Sequence, residues 1–200
     1  MKDILDDIER WRSAGKRVAV ARVVNIEGSG PRDPGAAMAV NEDGEVTGSV
    51  SGGCVEGAVV GEALSILSER APGRIVTFGY SDDESFAVGL TCGGTIRLYI
   101  EELITSTTPI DRFGQLVDDN TPCALATVVE GPNVGSKLLV IRGDDGDIVE
   151  GTLGHPELDR IVTRDTRGEL EAGRTGVRHC GPEGQATPED LVDSPTVSVF

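Results

Sequence analysis

Apolar positions recur along this chain at two spacings, and the alternation between them marks out its elements. Ile4, Leu5, Ile8 and Trp11 fall at three- and four-residue intervals. That is the stripe of an amphipathic helix over residues 3–13, with Asp3 as its cap and Gly15 as its stop. Residues 17–26 are dense in Val and Ala and read as a buried strand. A loop rich in Gly and Pro follows at 27–35. Residues 36–40 and 45–50 read as the two strands of a hairpin that turns over 41–44. Val55, Val59, Ala63, Ile66 and Leu67 return to helical spacing, so a helix runs to about Glu69. Pro72-Gly73 breaks the chain before a strand at 74–79. An acidic turn at 81–84 and an ambiguous stretch at 85–90 lead to a strongly β-patterned strand at 96–103. A polar break at 105–109 precedes a short helix at 111–119.

The second half partly repeats the first. Cys123-Ala124-Leu125-Ala126-Thr127 echoes Val18-Ala19-Val20-Ala21-Arg22. Lys137-Leu138-Leu139-Val140 echoes Ala37-Met38-Ala39-Val40, and Asp145-Gly146-Asp147-Ile148 echoes Asp43-Gly44-Glu45-Val46. Gly151-Thr152-Leu153-Gly154 then stands where Gly48-Ser49-Val50-Ser51 stood, and a matching helix begins near Leu158. The expected fold is α/β: mixed sheets with flanking helices, two related strand–hairpin–helix halves forming one compact body. The expected domain is 1–173, built of repeats at about 1–103 and 111–173. Residues 174–200, polar and rich in Gly and Pro, read as a linker and a terminal strand, which is either a swapped or edge strand or the lead into a missing C-terminal domain.

Composition narrows the functions. The 200 residues carry a formal charge of -16, which argues against nucleic acid and against an acidic membrane surface. No apolar run reaches the length of a membrane span, and residues 1–17 have no signal-peptide pattern. Four cysteines in 200 residues make neither a disulfide scaffold nor a paired zinc motif, as expected of a reduced, cytoplasmic protein.

The candidate chemistry lies in Gly48-Ser49-Val50-Ser51-Gly52-Gly53-Cys54-Val55-Glu56-Gly57, a strand-to-helix junction. The first N–H groups of a helix have no internal partner, and its dipole favours an anion or a thiolate. With Cys54 placed on or just inside the first turn, the segment would supply an anion cradle and a reactive sulfur. The plain alternative is a tight turn with an inert, packed cysteine. A second copy of the chemistry, Thr91-Cys92-Gly93-Gly94-Thr95, precedes the strand at 96–103. Arg32 is the positive charge of the loop at 27–35, and its planar fork suits carboxylate or phosphate. The other half has His155-Pro156-Glu157 in place of Gly52-Gly53-Cys54, so it reads as scaffold. His155 at a helix start reads as a cap or surface residue, and His179-Cys180 as part of a loop.

Gly28-Ser29-Gly30-Pro31-Arg32, the Gly48–Gly57 segment, and Gly89-Leu90-Thr91-Cys92-Gly93-Gly94 with Ile100-Glu101, in this order, resemble the XdhC/CoxI family of molybdenum hydroxylase accessory proteins. The resemblance covers 1–103 well and 104–200 more loosely. It implies a chaperone that binds the molybdenum cofactor, protects it, assists its sulfuration by a cysteine desulfurase, and delivers it to an apo-enzyme of the xanthine or carbon monoxide dehydrogenase type. The cofactor is molybdenum held by the dithiolene of a phosphorylated pterin. Under this resemblance Cys54 contacts the metal or its sulfur, with Cys92 as a second contact or packed behind the first. Arg32 holds the phosphate or a pterin oxygen. Ser51, Gly52, Gly53, Gly93 and Gly94 line the site, and Glu56 only steadies the helix. Such a protein binds and hands over without turnover of its own, and a homodimer suits a short two-lobed chain. Two other readings remain: a cysteine-based sulfur carrier or transferase, and a structural or regulatory partner with no ligand.

Overall fold

The structure, a computed structural model, describes residues 2–28, 32–79, 94–104, 109–143, 146–181 and 196–199. The chain divides into two units, Met1–Leu103 and Ile104–Phe200. The first runs α1 (Lys2–Ser13), β1 (Val18–Glu27), β2 (Ala37–Asn41), β3 (Val46–Gly48), α2 (Glu56–Glu69), β4 (Arg74–Phe78) and β5 (Thr95–Glu102). The second runs α3 (Ile110–Asp118), β6 (Cys123–Glu130), β7 (Lys137–Ile141), β8 (Ile148–Thr152), α4 (Pro156–Ala172), β9 (Gly176–His179) and β10 (Thr196–Val199). The acidic turn and the ambiguous stretch expected at 81–90 lie outside the described residues.

Each unit holds one five-stranded sheet, in the order β3-β2-β1-β5-β4 and β8-β7-β6-β10-β9. The two orders match strand for strand, so the repeat is complete. It takes in residues 176–179 and 196–199, which sequence reading assigned to a linker and a terminal strand. They pair as the counterparts of β4 and β5. The α/β class holds, but every described pairing is antiparallel, where mixed sheets were expected. Short hairpins reverse the chain at β1–β2 and β2–β3, and such connections join antiparallel neighbours.

The helices form where the apolar stripe predicts. In α1, Ile4, Ile8 and Trp11 are buried, and Gly15 takes a positive φ just beyond its end. In α2, Val59, Ala63, Ile66 and Leu67 are buried. They pack on Ala19, Ala21, Val23, Leu98 and Ile100 of the central strands, forming the unit's apolar core. α2 stops at Arg70, whose left-handed backbone turns its N–H onto the Ile66 carbonyl. In the second unit Leu158 and Val162 of α4 pack on Ala124, Ala126 and Val128 in the same way. Seven consecutive residues of β1, Val18 to Val24, are buried, as a strand covered on both faces requires. Arg22 is among them, ion-paired with buried Glu101 on the neighbouring strand. Arg17 ties the other end of β1 to Glu102 with two hydrogen bonds of 2.6 and 2.5 Å.

Two glycines hold equivalent turns. Gly48 pairs with Met38 and Gly151 with Leu138. Both have a positive φ, +78° and +89°. A Cβ on either would stand 2.4 Å from a carbonyl oxygen of the neighbouring strand, that of Ala37 or Lys137. The hairpin echo is one residue out: Ile148 opposes Ile141, so Val149, not Ile148, is the counterpart of Val46.

Gly48→Ala is therefore expected to lower unfolding stability by about 1–3 kcal/mol in urea denaturation. Gly61→Ala, in α2 where an added Cβ would meet none of the described residues within 4 Å, should instead raise it by about 0.5–1 kcal/mol.

Candidate functional site

The register gathers the candidate segments at one end of the first sheet. Arg22 faces Ala37, Met38 faces Gly48, Glu27 faces Thr95, and Phe78 faces Ile96. The loop with Arg32, the turn with Cys54, and the two ends of the β4–β5 connection, Gly79 and Gly94, therefore share that end. Backbones meet closely there. A Cβ on Gly28 would lie 3.5 Å from Gly94 Cα, and one on Gly79 would lie 2.6 Å from Thr95 Oγ1. Arg32 is exposed, and Gly94 is buried. Cys92 and Gly93 lie outside the described residues, as do Gly30 and Pro31.

Cys54 stands outside the helix, not on its first turn. α2 begins at Glu56, with Val55 in the cap position. Residues 51–55 form a bend in which Gly52 and Gly53 have φ of +75° and +117°, and left-handed backbone stops a helix from starting earlier. Cys54 is a half-buried thiol packed against the edge of the apolar core, beside exposed Gly52 and Gly53. Among the described residues a Cβ on Gly53 would meet nothing within 4 Å, so none of them closes the approach to the bend.

The expected anion cradle exists, but the chain fills it with its own carboxylate. Glu56 Oε1 accepts hydrogen bonds from Ser49 Oγ at 2.7 Å, Ser51 N at 2.9 Å and Val50 N at 3.3 Å. Its Oε2 accepts from Ser51 Oγ at 2.5 Å and Gly53 N at 2.8 Å. Ser51 Oγ in turn accepts from the N–H groups of Cys54 and Val55, both at 3.0 Å. Ser49 Oγ accepts from Gly52 N at 2.9 Å. Burial opposes ionisation of Glu56, yet donation from Ser51, Ser49 and the backbone outweighs it and holds the carboxyl at about 2. Sequence reading saw a helix-steadying acid and missed this span. The signal was the two serines, five and seven residues ahead of Glu56.

The second unit carries a reduced version. Thr152 Oγ1 and Leu153 N donate to Asp159, both at 2.7 Å, and Gly154 N donates to Thr152 Oγ1 at 3.0 Å. His155, expected as a cap or surface residue, holds the cap position of α4 without a side-chain cap bond. His179 ends strand β9 instead of lying in a loop, and its Nδ1 is 3.3 Å from Thr196 Oγ1. Burial pushes the Cys123 thiol up to about 11 and raises Cys180 also, so neither is a ready nucleophile. Among the described residues no group of three or more His, Cys, Asp or Glu side chains is placed to hold a metal. Among them, too, no helix is long and apolar enough to cross a membrane.

Fold and site together define a duplicated α/β protein with a glycine–cysteine turn in only one of its two units. The matched residues place it further: the chain belongs to the XdhC and CoxI family, whose model matches residues 11–79 and 116–181. Over 91 residues it is 40% identical to the molybdenum cofactor insertion chaperone PaoD of Escherichia coli (strain K12), covering 45% of this chain and 28% of that protein. Over 90 residues it is 31% identical to a probable xanthine dehydrogenase subunit of Bacillus subtilis (strain 168), covering 44% and 27%. The chain thus spans less than a third of the length of these relatives. A crystal structure described as a xanthine dehydrogenase from Bacillus halodurans shares the fold, with a TM-score of 0.56 and 24% identity over 76% of this chain and 45% of that one.

Glu56 ionises more readily folded than unfolded, where a Glu titrates near about 4.3. Its contribution is complete above that value and is lost as pH falls toward about 2. Glu56→Gln should cost about 1–2 kcal/mol at neutral pH, after allowing for solvent screening. Urea denaturation of both proteins should show that gap shrinking below about pH 4.

Proposed function

We propose that this chain binds the molybdenum cofactor as cargo and hands it to a molybdenum hydroxylase of the xanthine or carbon monoxide dehydrogenase type. Membership in the XdhC and CoxI family and the likeness to an insertion chaperone support the role. The observation that carries the reading to this site is the half-buried Cys54 thiol on an open glycine bend, which the second unit lacks. A soft thiolate suits a sulfur-ligated metal centre. Cys54 contacts the metal or its sulfur, with Cys92 as the second contact. Gly52, Gly53, Gly93 and Gly94 leave room for the guest, and Ser51 holds the bend.

The phosphate of the pterin falls to Arg32 and not to the turn's N–H groups, because those already serve Glu56 and Ser51. Arg32 is exposed on the loop at the same end of the sheet. A cysteine desulfurase is the partner that would sulfurate the bound cofactor, and the cytoplasm is the compartment that suits these thiols. In this reading the protein binds and hands over its cargo without turnover of its own. A homodimer is part of the proposal.

The experiment is co-purification. Each variant is expressed in cells that make the cofactor, and bound pterin is released and read by fluorescence. Cys54→Ala should retain about tenfold less than wild type, and Arg32→Ala should also lose binding. Retention at the wild-type level by Cys54→Ala and by Cys92→Ala would remove the thiols from the site.

A further inference from the structure

The two units act as each other's control for the strand-to-helix turn. Ser49 and Thr152 are counterparts, as are Val50 and Leu153, and Glu56 and Asp159. In both units the hydroxyl and the N–H after it donate to the carboxylate seven residues on. Those bonds are the shared part, and they close the turn wherever it occurs.

The remaining donors to Glu56 exist only in the first unit. Ser51 gives an N–H and a hydroxyl, and Gly53 gives an N–H. The counterpart of Ser51 is Gly154, which has no hydroxyl. The counterpart of Gly53 is Pro156, which has no N–H to give. In the second unit these residues open a regular helix at Pro156, and Asp159 N donates to the His155 carbonyl. In the first unit the counterparts of that helix's first three residues, Gly53 to Val55, lie in a bend instead, and the extra donors, Ser51 and Gly53, belong to it. The longer side chain of Glu reaches both sets, where Asp serves the first alone.

We infer that Glu56 is a positioning residue for Cys54. One carboxylate oxygen holds Gly53, immediately before the cysteine. The same oxygen orients the Ser51 hydroxyl, which receives the N–H of Cys54 itself. Cys54 therefore stands where Glu56 puts it, half-buried against the edge of the core. The inference rests on the proposed cofactor reading for its purpose, but its geometry can be tested without cofactor.

The test is the alkylation rate of Cys54 by iodoacetamide, followed by peptide mass mapping so that Cys92, Cys123 and Cys180 are scored separately. Glu56→Asp keeps the charge and the reach found in the second unit, so it should stay folded. It should release the bend and raise the Cys54 rate about fivefold, the effect of losing one hydrogen bond. Ser51→Ala should do the same, and it decides the matter should Glu56→Asp fail to fold. Thr152→Ala breaks the matched turn in the other unit and should leave the Cys54 rate unchanged. Rates for Glu56→Asp and Ser51→Ala within about twofold of wild type, or an equal rise in Thr152→Ala, would overturn the positioning role. Cofactor retained by Cys54→Ala would overturn the cofactor reading and leave this one standing.

Discussion

The carboxylate of Glu56 gathers five donors from a stretch that has little else to hold it. Between Val50 and Val55, both buried in the core, the chain offers two glycines, a serine and a cysteine. Such a segment buries little apolar surface and has much backbone freedom to lose. One ionised group supplies what packing does not. It takes the N–H groups of Ser51 and Gly53 directly and those of Cys54 and Val55 through the Ser51 hydroxyl. Hydrogen bonds to a charged acceptor are stronger than neutral ones, so the bend has a definite shape despite its glycines.

That arrangement changes what the turn offers a guest. An open helix start attracts anions, but here the positive potential is already spent on an internal negative charge. What the bend exposes is bare glycine backbone at Gly52 and Gly53, beside a half-buried cysteine. The surroundings are strongly acidic overall, at -16 for the chain. On the proposed reading a guest would be met at this point by soft contact and close approach, with Arg32 on the neighbouring loop as the hard, positive complement.

Duplication separates frame from specialisation. Both units need the same strand order, a positive-φ glycine at or next to the end of the third strand, and a hydroxyl–carboxylate pair across the turn. These features maintain the fold. The first unit departs from them at Ser51, Gly52, Gly53 and Cys54, where a helical turn gives way to a bend. The cost of losing that turn falls on the helix terminus, and the Glu56 network offsets it.

Much of this was legible in the chain itself. Helical stripes at Ile4, Ile8 and Trp11, and at Val59, Ala63 and Ile66, named the helices, because a 3.6-residue period is a local property. The echo of Gly48-Ser49-Val50 in Gly151-Thr152-Leu153 announced the duplication, because equivalent turns need the same residue types. Strand partners were not legible. The strands β9 and β10 are short and joined through a polar stretch, and nothing local says that they complete a sheet begun at Cys123. The place of Cys54 was also beyond reach. Its helix was expected to hold the cysteine on or just inside the first turn, but two left-handed glycines and a carboxylate reaching back move the start to Glu56. Periodicity is written in neighbours along the chain. Which donors a side chain finally meets is decided only when the fold brings them within 3 Å.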